Sequence, residues 1–331
     1  SVNNRYLASN WLTGHIVAID SEGNQSYFVT NEYCKNGLHI EGNTVFAACI
    51  DQGIKGFDLS DTSLVMHVMI DGMINLNDIT SDTSGNIYVT DVYGSKIYKI
   101  RLSDQNYSVF ADNGIVYPNG IYFDERHNRL LLVSFRHNSP IQAINLQDSS
   151  VTTIVNTGRN NLDGITEDNE GNIYFSSWGT SSIYMFDSTF TYPPELYYTN
   201  SGGPADIYYN KQDYVLAVPV MNYNYVEFIY TQTSTDENEI TLLPNEIRLY
   251  TNYPNPFNAA TTIKYDLPAA ATVSIKVYDI LGRSIDTIRE RNRPAGLYQI
   301  TWHSEDAPSG VYFYSIITDY GTATKRMTLI K

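Results

Sequence analysis

The 331 residues are 42% apolar and only 17% charged, and Tyr alone occurs 28 times; this excludes an intrinsically disordered chain and, at roughly 100–200 residues per domain, predicts two domains or one large domain with an appendage. No run of about 18 apolar residues occurs, so no transmembrane segment is predicted. The formal charge of −15 is uneven, with 9 Lys and Arg against 7 Asp and Glu in residues 250–331 and therefore 12 against 29 in residues 1–249; such a surface repels phosphate backbones, which excludes nucleic acid as a partner, and suits cations and neutral or cationic small molecules.

The chain opens at Ser1 with no apolar leader, so for an exported protein a signal peptide is expected outside these residues. Tyr6-Leu-Ala-Ser9, His15-Ile-Val-Ala-Ile19 and Ser26-Tyr-Phe-Val29 read as three short strands. They match the second, third and fourth strands of a unit that recurs downstream, which places the first strand of the opening unit before Ser1. Cys34 and Cys49 follow. Two buried thiols acting as small hydrophobes and one disulfide of an exported protein are both open readings.

Five segments then read alike: Asn36-Gly-Leu-His-Ile, Asn77-Asp-Ile-Thr-Ser, Asn119-Gly-Ile-Tyr-Phe, Asp163-Gly-Ile-Thr-Glu and Ala205-Asp-Ile-Tyr-Tyr, spaced by 41, 42, 44 and 42 residues. Each passes through a polar turn such as Ser84-Gly-Asn86 into a second apolar run such as Ile87-Tyr-Val-Thr90, and then into a third such as Lys96-Ile-Tyr-Lys-Ile100. A more polar fourth run often follows, as in Tyr107-Ser-Val-Phe110. Short runs rich in β-branched and aromatic residues between Gly, Asn and Asp are strand and hairpin chemistry. Four strands per unit of about 40–45 residues is the pattern of a β-propeller blade. The fold predicted for residues 1–232 is a six-bladed β-propeller with an incomplete first blade.

Residues 233–242 are polar and read as a linker. Residues 243–331 form a second all-β unit, with alternating runs at Thr262–Tyr265, Val273–Tyr278, Gly296–Trp302 and Gly310–Ile316. The alternation predicts a small immunoglobulin-like β-sandwich. Asn252-Tyr-Pro-Asn-Pro-Phe-Asn258, Val277-Tyr-Asp-Ile-Leu-Gly-Arg283, Ala295-Gly-Leu-Tyr298, Ser309-Gly-Val-Tyr-Phe-Tyr314 and Lys325-Arg-Met-Thr-Leu-Ile-Lys331 resemble, in order, the type A C-terminal sorting domain of the type IX (Por) secretion system. The resemblance implies that residues 243–331 engage that secretion machinery and that the protein is secreted or attached to the outer surface.

In a propeller the first strand of each blade lines the central channel, so Asn36, Asn77, Asn119, Asp163 and Ala205 are expected at one mouth. A ring of amide carbonyls with a carboxylate is oxygen-ligand chemistry and suits Ca²⁺ or another divalent cation, not structural zinc, which takes Cys or His. Asn or Asp before Gly is also ordinary turn chemistry, tolerant of the left-handed region, and that reading stands beside the first. Tyr117-Pro-Asn-Gly-Ile-Tyr-Phe-Asp124 and Leu162-Asp-Gly-Ile-Thr-Glu167 resemble SMP-30/gluconolactonase/luciferin-regenerating-enzyme-like propellers. The resemblance implies that Asn119 and Asp163 hold one divalent cation, that Asn77 lies beside the substrate, and that Asp163 is the catalytic residue of a metal-dependent lactonase or esterase. Asn75 stands where that family has a substrate-contacting Arg, and the family's ligating Glu belongs to the strand expected before Ser1.

Asn36, by its place in the repeat, and His137, in the loop Phe135-Arg-His-Asn138, are further candidates for contact with a substrate, His137 also reading as a solvated loop residue. Trp11 and Trp178 close second strands at comparable places and read as blade packing or as a carbohydrate-stacking surface. The sequence has no Gly-x-Ser-x-Gly elbow, His-Glu-x-x-His pair or phosphate-binding loop, which excludes the hydrolases and nucleotide enzymes built on them. The readings carried forward are a propeller that binds a small molecule or surface partner at the channel mouth, a metal-dependent lactonase or esterase, and a structural propeller of a surface assembly.

Overall fold

The computed structural model describes residues 5–21, 23–199, 202–231, 247–250, 252, 255–267, 271–293, 296–304, 307–319 and 321–330. The predicted linker at 233–242 lies outside the described residues, as do Tyr253, Pro254, Ala295 and Lys331 of the motifs above. The chain divides into two units, Ser1–Ile229 and Tyr230–Lys331. Among the described residues every regular element is a β-strand, apart from single 3-10 turns at Glu125–His127 and Met221–Tyr223.

The first unit is a series of six sheets, each a meander whose strands bond in chain order. The first sheet is β1 (Arg5–Ser9), β2 (Ile16–Asp20) and β3 (Gln25–Val29). The second is β4 (Leu38–Glu41), β5 (Thr44–Cys49), β6 (Gly53–Asp58) and β7 (Leu64–Val68). The third is β8 (Leu76–Ser81), β9 (Asn86–Asp91), β10 (Lys96–Arg101) and β11 (Tyr107–Ala111). The fourth is β12 (Pro118–Asp124), β13 (Arg129–Ser134), β14 (Ser139–Asn145) and β15 (Val151–Arg159). The fifth is β16 (Leu162–Glu167), β17 (Ile173–Ser177), β18 (Ser182–Phe186) and β19 (Glu195–Thr199), and the sixth is β20 (Tyr208–Asn210), β21 (Val215–Val220) and β22 (Tyr225–Tyr230).

Alternate residues of one strand belong to two different cores, and this makes the arrangement radial. Leu130 and Leu132 of β13 pack with Tyr88 and Ile97 of the third sheet. Leu131 and Val133 of the same strand pack with Ile165, Phe175 and Tyr184 of the fifth. Successive strand residues point to opposite faces, so an unbroken apolar run such as Leu130–Val133 is what a sheet covered on both faces requires. Each of these four side chains is fully buried, and each contributes about 1.5–3 kcal/mol through removal from water. The ring meets at its ends: Tyr6 of β1 packs on Phe228 of β22 with ring centroids 4.6 Å apart, and Asn210 Nδ2 donates to Tyr6 Oη over 3.1 Å.

β1 holds the place in its sheet that β5, β9, β13 and β17 hold in theirs. β9 is buried along its whole length, whereas all five residues of β1 are half-buried. Beside β1, no inner strand corresponding to β4 or β8 lies among the described residues.

Cys34 and Cys49 form a disulfide with their Cα atoms 3.8 Å apart, tying the segment that enters β4 to the end of β5. Of the two sequence readings, the bonded one is correct.

The second unit contains β23 (Arg248–Leu249), β24 (Ala260–Leu267), β25 (Ala271–Asp279), β26 (Ser284–Arg293), β27 (Gly296–His303), β28 (Gly310–Thr318) and β29 (Gly321–Leu329). They form two sheets, ordered β23-β24-β27 and β26-β25-β28-β29. Ile263, Tyr265 and Leu267 of the first share a core with Val273, Ile275, Val277, Tyr314 and Ile316 of the second. The Asp279–Arg283 turn is held by the Asp279 carboxylate, which accepts from the Leu281 and Arg283 amides, and Gly282 takes the positive φ of 77° that the turn requires.

Candidate functional site

The site is built by one irregularity repeated in successive inner strands. Pairing with the second strand shifts register between Leu76 and Ile79, between Pro118 and Ile121, and between Leu162 and Ile165. These shifts fall on Asn77-Asp78, Asn119-Gly120 and Asp163-Gly164. A bulge re-aims side chains that a regular pleat would send into the neighbouring blade. The turn reading of Asn119-Gly120 and Asp163-Gly164 is thereby corrected: both pairs lie within strands, and none of the four residues has a positive φ. Glycine is required for a different reason. A Cβ on Gly120 would overlap the Asp163 carbonyl oxygen and come within 2.9 Å of the Gly164 Cα, and one on Gly164 would come within 2.8 Å of the Asp206 Cα. The inner strands touch at these points.

The second position of the repeat is Gly in the second, fourth and fifth sheets and Asp in the third and sixth, which face each other across the ring. The Asp78 and Asp206 carboxyl groups, from opposite sides of the ring, come close enough near its axis to interact directly. Asp78 also accepts from the Ile79 amide at 2.7 Å and the Ile121 amide at 2.8 Å. Hydroxyls of the second strands complete the frame. Thr90 Oγ1 accepts from the Asp78 amide and donates to the Asn119 carbonyl at 2.8 Å. Ser176 Oγ accepts from the Gly164 amide and donates to the Ala205 carbonyl at 2.9 Å.

Above this frame opens a cavity whose axial end is lined by Asn36, Asn77, Asn119, Asp163 and Ala205 together with Asp206; it continues along β1, between Leu7 and Ile19 of the first sheet and Leu38 and Ile40 of the second, and its volume of about 530 Å³ spans both parts. Trp11, Tyr93, Phe135 and Trp178, each from the loop after the second strand of a different sheet, form aromatic walls. Phe135 and Trp178 meet edge to face with centroids 6.0 Å apart, and Trp178 Nε1 donates to Asp163 Oδ2 over 2.7 Å.

The predicted residues differ in what they offer. The Asn77 amide makes no hydrogen bond within the protein among the described residues, and Asn77 is half-buried in the cavity wall. Asn119 donates to the Leu162 carbonyl at 3.3 Å, leaving its Oδ1 buried without a partner. Asn36 donates to the Leu76 carbonyl at 2.5 Å, so its amide group staples two inner strands. His137 does not line the cavity: it is exposed, in a loop that turns at Asn138 with φ 48°, and Phe135 from the same loop faces inward instead. Asp78 and Asp206 were not among the sequence candidates. Their signal was present in the repeat, as Asp where the other sheets carry Gly, but only the ring brings them together.

Burial raises the Asp163 carboxyl to about 7, with the charge of Asp206 adding to the effect and hydrogen bonds from Trp178 and Asn119 opposing it. Burial also raises Asp78, to about 6, and Asp206, whose shift is enlarged by Asp78 beside it. Asn119 Oδ1 and the Asp163 carboxylate are donors of the type a hard divalent cation takes. They are fewer than the six to eight oxygens usual for Ca²⁺, and no group of three or more His, Cys, Asp or Glu placed to hold a metal occurs among the described residues. The pair therefore fits such a cation in donor chemistry and falls short of it in number.

A ring of sheets around a mouth lined by the first residues of each repeat defines a β-propeller. Residues 10–190 match the SMP-30/gluconolactonase/LRE-like region, and the chain belongs to that family. Residues 251–331 match a secretion system C-terminal sorting domain, which indicates secretion or attachment at the outer surface through the type IX machinery. No curated protein matches the chain. Among solved structures, a gluconolactonase from Xanthomonas campestris is similar at 16% identity and TM-score 0.56, over 65% of this chain and 78% of that one. A component of the nidogen/laminin complex is similar at 13% identity and TM-score 0.60, over 89% and 97%. PorZ, a surface component of the type IX secretion system of Porphyromonas gingivalis, is similar at 13% identity and TM-score 0.51, over 100% of this chain and 59% of that one. At these identities the likeness is one of fold.

Proposed function

We propose that the protein is an exported propeller that binds a small molecule at the channel mouth. The observation that carries this reading is the channel mouth itself, where Asn77 offers an amide with no hydrogen bond to the protein among the described residues beneath aromatic walls. Polar groups without protein partners in an apolar-walled cavity give a ligand orientation as well as burial. The full chain is tested against a library of neutral and charged metabolites by thermal shift and calorimetry, beside Asn77→Ala and Trp178→Leu. Ligands whose binding both variants weaken support the reading. Binding that neither variant alters, or no binding at all, overturns it and leaves a structural role at the surface.

A second reading is favoured by Asn119 Oδ1, buried without a partner beside Asp163. Asn119 and Asp163 would hold a divalent cation, which when bound polarises the carbonyl of a lactone or ester. Asp163 would accept the proton of the water that attacks the carbonyl carbon. The acyl C–O bond would then break, Asp163 returning the proton to the leaving oxygen, to give an acid and an alcohol. Asn75, in place of the family's Arg, removes one cationic contact to such a substrate. Lactone and ester hydrolysis abolished by chelator and by Asp163→Asn supports this second reading, and hydrolysis unaffected by either refutes it.

A further inference from the structure

The second unit has a corner that its own fold leaves uncovered. Val273, Ile275 and Val277 of β25, Tyr312, Tyr314 and Ile316 of β28, and Met327 and Leu329 of β29 face the core between the two sheets. Successive strand residues alternate, so Lys276, Tyr278, Val311, Phe313 and Arg326 lie on the opposite face. Phe313 is the cross-strand partner of Tyr278 on one side and of Arg326 on the other, and both Val311 and Phe313 remain exposed. Asp279 pairs with Tyr312, which puts the turn that follows it at the Val311 end of this face. That turn carries two large apolar residues, Ile280 and Leu281, 70% and 73% exposed, and Ile285 beyond it in β26 is exposed as well. The turn is held in this form: the Asp279 carboxylate accepts from the Leu281 and Arg283 amides, each at 2.9 Å, and from Arg283 Nε at 2.6 Å. Arg283 thus matches Asp279, whereas Lys276 and Arg326 make no ion pair among the described residues. Exposed apolar side chains on a fixed frame mark an interaction site, and unpaired cations beside them select a partner of opposite charge.

We propose that this corner, Ile280 and Leu281 with Val311 and Phe313, is the surface by which the type IX machinery grips the chain, and that it docks in an apolar recess of a machinery protein whose rim carries carboxylates. The proposal rests on the match of residues 251–331 to a sorting domain and names the face and the partner chemistry that the match leaves open. The hydrogen-bonded turn loses little freedom on docking. Ile280 and Leu281 supply apolar area to bury, and Lys276 and Arg326 orient the partner through its carboxylates.

The test expresses the full chain behind a supplied signal peptide in cells that carry the type IX machinery and measures, by fractionation, the share that reaches the outer surface or the medium. Ile280→Ser with Leu281→Ser is expected to lower that share about tenfold or more while Tm stays at the parent's, because both side chains are exposed. Ile280→Leu with Leu281→Ile keeps the apolar area and is expected to retain export. Lys276→Glu with Arg326→Glu is expected to lower export too. Tyr192→Ser, at a position 72% exposed in the first unit, is expected to leave it unchanged. A folded serine variant exported as the parent is overturns the proposal, as does a charge-reversed variant exported as the parent is, or an equal loss in Tyr192→Ser. A parent chain that dimerises in solution, with a serine variant that is monomeric and normally exported, overturns it in favour of a second copy at this corner. Should the serine variant not fold, the charge-reversed variant decides alone. If deleting residues 251–331 leaves export intact, the sorting reading itself fails; if the deletion blocks export and the serine variant does not, this inference alone fails.

Discussion

The Trp178 indole donates to an Asp163 carboxylate oxygen over 2.7 Å, joining the wall of the channel mouth to its floor. Asp163 comes from the bulge of β16, and Trp178 from the loop after β17, the strand that pairs with it. The hydrogen bond fixes which way the carboxylate faces and places the indole ring over the cavity. Replacing Trp178 with Phe retains a ring and removes the donor. The expected result is a loss of about 1–3 kcal/mol in stability, the cost of leaving a buried acceptor unpaired, measured by denaturant unfolding. An unchanged midpoint would show that the bond holds nothing in place.

Gly120 tests the contact between inner strands. A Cβ there overlaps the Asp163 carbonyl oxygen and must push β12 away from β16, separating Asn119 from Asp163. Gly120→Ala is expected to lose about 1–3 kcal/mol through overpacking and to weaken ligand binding as well. Gly42, with nothing near its Cβ position but φ +58°, is the comparison. Gly42→Ala is expected to lose stability through backbone strain while binding is retained. If the two variants behave alike, strand proximity is not what Gly120 provides.

Stability is expected to decline as pH rises from mildly acidic to neutral, because the raised carboxyls of Asp163, Asp78 and Asp206 outnumber the one group of opposite sign, His39. Asp163 has a folded pKa of about 7 against 3.8 for the free group. Its contribution is therefore fully present below pH 3.8 and is lost as pH rises through about 7. His39 has the opposite sign: burial lowers it from 6.5 to about 4, so its contribution is present above pH 6.5 and is lost as pH falls toward 4. Its Nε2 lies 2.8 Å from Ser81 Oγ, which donates to Glu41. Tm measured without ligand should fall from about pH 5.5 to about pH 8.5, and Asp163→Asn should flatten that alkaline decline. An Asp163→Asn protein with the same alkaline slope as the parent contradicts the assignment.

The Cys34–Cys49 disulfide closes a separation of 15 residues in sequence. Replacing both cysteines with Ser is expected to cost about 3 kcal/mol, the loop-closure value for that length. Parallel denaturant curves for the parent and the double variant measure it, and thiol titration of the unreduced parent should find no free cysteine.

Deleting residues 251–331, the match to a sorting domain, is expected to prevent the protein from reaching the outer surface or the medium. Cell fractionation with an antibody to the propeller measures this. Equal surface display of the shortened chain would remove the address function from this unit.

Much of the fold was legible in the sequence because strands alternate with Gly, Asn and Asp turns at a constant spacing. The apolar run Leu130–Val133 already implies a strand covered on both faces, and the repeat already aligns Asn36, Asn77, Asn119, Asp163 and Ala205. The site was less legible. Asn36 and Asn119 read alike, yet one donates its amide at 2.5 Å and the other leaves an oxygen buried without a partner. His137 suggested chemistry by its type, but the turn of its loop leaves it exposed and sends Phe135 inward.

By itself the sequence determined the period of the repeat, the β character of every blade and the address at the C-terminal end, because these depend on local spacing and side-chain type. The tertiary structure decided that Asp78 meets Asp206, that Gly120 and Gly164 mark strand contacts rather than turns, and that Cys34 bonds to Cys49. Those outcomes depend on which residues the closed ring brings together, and separation along the chain carries no record of distance across an axis.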